Sequence, residues 1–179
     1  MSSTIPVVAL TILSCVNLIL LLGVVRRLGR LTGPAPAVPQ PHLPRPGDVV
    51  GNFVASTTDG DRVSVRDLSG WRLVGFFTVG CPPCEAFKPA FRAHANTFPG
   101  GRDRVLAVIT GGKGDPGALA DEMAEFAHVI VEAPTGPVST AFGVTGFPVA
   151  CLLKGDTITA TGLDVESFRP PLPATAATR

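Results

Sequence analysis

The chain is short of charge, of cysteine and of repeats. Only 16% of its 179 residues are Asp, Glu, Lys or Arg, and a mean hydropathy of +0.36 excludes a disordered polymer. A formal net charge of +1 lacks the basic excess of a nucleic-acid binder. Four cysteines are too few for a disulfide-dense scaffold. The loop at 111–114 (Gly-Gly-Lys-Gly) lacks the spacing and the following Ser/Thr of a phosphate loop, so no nucleotide is expected there. No internal repeat is present, and the length fits one domain of about 120 residues with extensions.

Charge is also missing locally. Residues 5–25 contain no charged side chain. At about 1.5 Å per residue that run reaches about 30 Å, the thickness of a bilayer's hydrocarbon core. It lacks the basic start and small-residue cleavage site of a signal peptide and runs straight into Arg26 and Arg27. A single transmembrane anchor is expected over 1–28. A linker follows over 29–46, with prolines at 34, 36, 39, 41, 44 and 46 that favour an extended, semi-rigid tether. The last segment, 169–179, reads as an unstructured tail. Arg26, Arg27 and Arg30 follow the anchor, and the positive-inside tendency places what comes next in the cytoplasm.

Residues 47–168 hold all 14 acids and 9 of the 15 bases and alternate between strand and helix patterns. A hairpin is expected from 49–55 and 62–65 around Asp59-Gly60. Buried strands are expected at 72–78 and 104–110, helices at 82–97, 116–126 and 138–142, and a short strand at 127–131. A closing hairpin is expected from 149–154 and 157–161. This is an α/β pattern with a mixed sheet.

The chemistry centres on Cys81-Pro82-Pro83-Cys84, where a buried strand hands over to a helix. Pro82 and Pro83 suit the first helical turn. Cys81 then sits at the helix N-terminus, near about half a positive charge that stabilises a thiolate. Cys81 is the expected nucleophile, and Cys84, one turn on, can close the disulfide. Half a zinc site would need two further ligands, but Cys15 lies in the anchor, Cys151 stands alone, and His42, His94 and His128 are scattered. No metal or other cofactor is expected. A merely structural disulfide, or two inert thiols, are the other readings. Cys151 reads as a buried apolar residue of its strand, and Glu85, Lys88 and Arg92 as a solvated helix face.

Cys81-Pro82-Pro83-Cys84 after an apolar strand, Pro89 five residues beyond, and Gly146-Phe147-Pro148 before another strand resemble the thioredoxin-fold oxidoreductases. The anchor, Pro-rich tether and early hairpin narrow the resemblance to the membrane-anchored TlpA/ResA type, including relatives of MauD. It covers roughly 47–165. It implies a thioredoxin-like α/β fold, with a mixed central sheet flanked by helices. It further implies a cis Pro148 facing the disulfide, a Phe147 backbone presented to the partner chain, and an extracytoplasmic domain. The chain departs from the family at Gly75, where many thioredoxins place a buried acid, and at Phe87, where the ResA type has one.

The function expected is a membrane-tethered thiol–disulfide oxidoreductase that reduces or forms disulfides in a partner protein. A peroxiredoxin-like peroxidase is the first alternative, since Thr78-x-x-Cys81 matches half of that pattern while Val74 replaces its proline. A non-catalytic maturation or binding module is the second.

Overall fold

The computed structural model describes residues 42–168 and Pro170, together with Leu13, Ser14, Asn17, Leu18 and Leu20, which are helical. The rest of the expected anchor, the linker before His42 and the tail apart from Pro170 lie outside the described residues. Among the described residues no helix is long and apolar enough to cross a membrane. The chain divides into two compact units, 1–40 and 41–179; the second carries the site.

That unit contains β1 (Val54–Ser56), β2 (Arg62–Ser64), β3 (Trp71–Thr78), α1 (Pro82–Thr97), β4 (Val105–Thr110), α2 (Pro116–Ala124), β5 (His128–Glu132), α3 (Pro137–Phe142), β6 (Val149–Lys154) and β7 (Thr157–Gly162). Five strands form one sheet in the order β5-β4-β3-β6-β7, and β1 and β2 form a separate hairpin. β3, β4 and β5 run parallel, while β6 is antiparallel to β3 and β7. The sheet is therefore mixed. β3 is central and buried on both faces, which is why Leu73, Val74, Phe76 and Phe77 read as one unbroken apolar run.

Each face has its own core. On one, Leu73 and Phe77 meet Phe87, Phe91 and Ala95 of α1 and Leu119 and Met123 of α2. On the other, Val74 and Phe76 meet Val138 and Phe142 of α3 together with Val50 and Phe53. The buried residues of α1 are Cys84, Phe87, Phe91 and Ala95, the one-face spacing of an amphipathic helix.

Two elements depart from expectation by more than one residue at an end. The first hairpin pairs only Val54–Ser56 with β2. The chain before it turns to β7 instead: Val49 bridges Thr157, Val50 N–H donates to Asp156 O at 2.8 Å, and Ile158 N–H donates to Asp48 O at 2.9 Å. One extended run thus serves two partners, a choice local propensity does not encode. α2 stops at Ala124: Phe126 N–H closes a tighter turn onto Met123 O at 3.1 Å, and β5 begins two residues later at His128. That turn drives Phe126, 4% exposed, into the core.

Candidate active site

β3 ends at Thr78, and Val79-Gly80 turn the chain into α1. Gly80 has φ +72°, a conformation that favours glycine. Cys81 is the N-cap of α1, with extended backbone (φ −103°, ψ 106°). Pro82 and Pro83 carry no N–H, so the first amide donor of the helix is Cys84 N–H. It lies 3.3 Å from Cys81 Sγ, which accepts its hydrogen bond. The sulfur thus stands where a serine or aspartate oxygen caps an ordinary helix, at its positive end.

Cys81 and Cys84 are joined as a disulfide, with Cα atoms 5.2 Å apart. The two sulfurs are not equivalent. Cys81 is half-buried, while Cys84 is 1% exposed and belongs to the apolar cluster under α1. Of the two, Cys81 is the one open to solvent.

The Phe147–Pro148 bond is cis. Val149 pairs with Phe76 in the antiparallel register, so Pro148 precedes β6 at the end of the sheet where β3 leads to Cys81. Phe147 and Cys81 both pack against the same apolar cluster. The loop is tied to the domain's start: His42 N–H donates to Thr145 Oγ1 at 2.6 Å, and Thr145 N–H donates to His42 O at 3.1 Å.

A second support of the Cys81 loop escaped the sequence. Gly112 and Lys113, in the loop after β4, are its backbone neighbours. A Cβ on Gly112 would lie 2.1 Å from Val79 O, and one on Gly80 would lie 2.7 Å from Lys113 O. The loops after β3 and β4 interlock main chain to main chain, so the glycines are needed for close approach. The available signal was their position directly after a strand that parallels β3.

The helix face beyond Cys84 needs correction at Lys88. It is 15% exposed and bridges Glu85 Oε2 at 2.6 Å and Glu122 Oε2 at 2.8 Å. Arg92 pairs with Glu125, and its guanidinium carbon lies 5.5 Å from the Phe126 ring centroid. The Thr78 hydroxyl donates to Thr110 O and Gly111 O, each at 3.3 Å, so it is engaged with the neighbouring strand. At Gly75 the space is filled by Phe91, which accounts for the missing carboxylate there. Cys151 is fully buried; burial pushes its thiol up to about 12, against a weak contrary effect of Thr161. Asp59, Asp61 and His128 bring three potential ligand atoms within 4.8 Å of one another, but the Asp59 carboxylate is already bound by Arg102 at 2.5 Å.

No protein-family model matches the chain, and no curated protein matches it. Solved structures do. The thioredoxin domain of a thiol-disulfide oxidoreductase from Bacteroides vulgatus is similar over 65% of this chain and 87% of its own, at 20% identity and a TM-score of 0.50. A thio-disulfide isomerase from Thermus thermophilus is similar over 66% of this chain and 85% of its own, at 17% identity and a TM-score of 0.51. The fold is thioredoxin-like.

Proposed function

We propose that the chain is a membrane-tethered thiol–disulfide oxidoreductase acting on protein partners. The observation that carries this reading is the unequal sulfur pair at the start of α1: one half-buried at the helix N-terminus, the other enclosed beneath it. In the reduced protein the Cys81 thiolate attacks one sulfur of a partner disulfide. A mixed disulfide forms, and the partner's other sulfur leaves as a thiolate. Cys84, deprotonated in turn, attacks Cys81 Sγ, closes the intramolecular bond and releases the partner as a dithiol. Two electrons pass from the pair to the partner; the reverse sequence oxidises a partner dithiol. Pro82 and Pro83 shape the helix start. Phe147 and Pro148, beside the same sheet end, receive the partner's chain. No cofactor enters the cycle.

The tether is supported by the uncharged run at 5–25, within which Leu13, Leu18 and Leu20 are all largely exposed. Protease accessibility of the domain in intact cells, compared with broken membranes, fixes its side and the redox poise it works against. The catalytic reading is tested with insulin as a model disulfide. Cys81→Ser abolishes dithiothreitol-driven reduction, and Cys84→Ser accumulates a mixed disulfide through Cys81. Undiminished insulin reduction by Cys81→Ser would overturn the assignment.

A further inference from the structure

Glu85 and Lys88 follow Cys81, the N-cap of α1, by one and two turns of the helix, and Glu85 N–H donates to Cys81 O at 3.1 Å. Glu85 and Lys88, with Val79, Gly80, Asp115 and Glu122, line a groove of about 230 Å³ beside the loop that enters Cys81. Lys88 Nζ stands between two carboxylates, 2.6 Å from Glu85 Oε2 on its own helix and 2.8 Å from Glu122 Oε2 on α2. Burial lowers the lysine's pKa, but its bonds to Glu122 and then Glu85 outweigh that and raise it. The ammonium is therefore charged throughout the range in which a thiol titrates. Glu85 is the only acid in the first turn of α1, one turn on from Cys81. Unneutralised, its carboxylate would oppose a Cys81 thiolate as one like charge opposes another.

We propose that Lys88, anchored by Glu122, is a positioning residue that draws the Glu85 carboxylate away from Cys81 and cancels its charge, so that the Cys81 thiolate forms in an otherwise acidic groove. The inference rests on Cys81 being the attacking sulfur. The other elements around Cys81 add few competing charges. Asp115 caps α2 through Gly117 N–H at 2.8 Å, and Lys113, whose backbone oxygen and Cβ both meet Gly80, is the further cation beside the loop and is unchanged in every variant below. The 145–148 loop has no charged residue, and Arg92 is paired with Glu125 further along α1.

The test follows Cys81 alkylation by iodoacetamide against pH in the reduced full chain in detergent. Cys15→Ser is present throughout, and peptide mapping by mass separates label on Cys81 from label on Cys84. The parent titrates well below the ordinary thiol range of about 8.5. Lys88→Met slows alkylation below the midpoint by about three- to tenfold, as an exposed carboxylate left unpaired one helical turn away raises the thiol's pKa. Glu85→Gln combined with Lys88→Met recovers more than half of that loss, and Lys88→Arg retains the parent profile and controls for folding. The inference is overturned if Lys88→Met matches the parent. It is equally overturned if Lys88→Met slows the reaction by the same factor with and without Glu85, because Lys88 would then act on the sulfur directly. A parent that titrates as an ordinary thiol instead overturns the functional reading beneath it.

Discussion

Replacing Gly75 by alanine probes the packing that seats α1, and with it the cysteine pair, on the sheet. Gly75 lies in the middle of β3, opposite Ala107 of β4 and Ala150 of β6. A Cβ there would stand 2.6 Å from Cε2 and Cζ of Phe91 and 2.8 Å from Cε2 of Phe77. Carbon atoms in contact prefer about 3.5–4.0 Å, so the Phe91 ring must retreat by about 1 Å. It has little room, being fully buried with ring centroids of Phe77, Phe87 and Phe126 at 5.2, 6.0 and 6.3 Å. Overpacking of this kind costs about 1–3 kcal/mol, and the lower unfolded-state entropy of alanine offsets about 0.4–1 kcal/mol. A net loss of about 1–2 kcal/mol is expected, or about 3–8 °C in Tm for a domain of this size. Trp71, the single tryptophan, opens β3 and packs against the same cluster, so its fluorescence in guanidinium reports the unfolding. In a Phe91→Leu background the same replacement should cost less than half as much. Stability equal to or above that of the parent, or no relief from Phe91→Leu, would refute the packing account.

Gly112→Ala should lower insulin reduction at least tenfold, since its Cβ would meet Val79 O at 2.1 Å and displace the loop entering Cys81; a parental rate would show that the interlocked loops do not set the cysteine's position. Cys151 should resist alkylation in the native protein at pH 9 and react once it is unfolded. Its folded pKa is raised from 9.0 to about 12, so its neutral form contributes stability in full below pH 9 that is lost as pH climbs towards 12. Cys151→Ala should flatten that alkaline slope, and an unchanged slope would place the loss elsewhere. Glu132→Ala removes the acceptor of Val138 N–H at 2.9 Å and Ser139 N–H at 2.8 Å; a loss of about 1–2 kcal/mol is expected in urea unfolding.

Elements with strong local signals were legible in the sequence. α1 runs from Pro82 to Thr97 as expected, because paired prolines mark its first turn and Phe98-Pro99-Gly100 its end. β3 and β6 were legible because buried strands carry continuous apolar residues bounded by turns. The Cys81–Cys84 pairing followed from spacing, and the cis bond at Pro148 from the resemblance. Features set by tertiary partners were not legible. The segment at 49–53 looks like a strand, but its partner is β7 rather than β2. Lys88 looks like a solvated residue until α2 brings Glu122 to it. Gly75 marks only an absent acid until Phe91 is seen filling its place. The glycines at 111–114 carry no chemistry of their own and gain meaning from the backbone they touch.

The most direct test of the central claim is an equilibrium titration of the full chain against glutathione at graded oxidised-to-reduced ratios, quenched and read by mass after alkylation. In a Cys15→Ser background, one two-electron transition is predicted, confined to Cys81 and Cys84, with Cys151 unmodified throughout; with Cys84→Ser added, glutathione should reside on Cys81. A pair that stays reduced at every ratio, or glutathione carried by Cys84 in Cys81→Ser as readily as by Cys81, would contradict the division of labour between the two sulfurs.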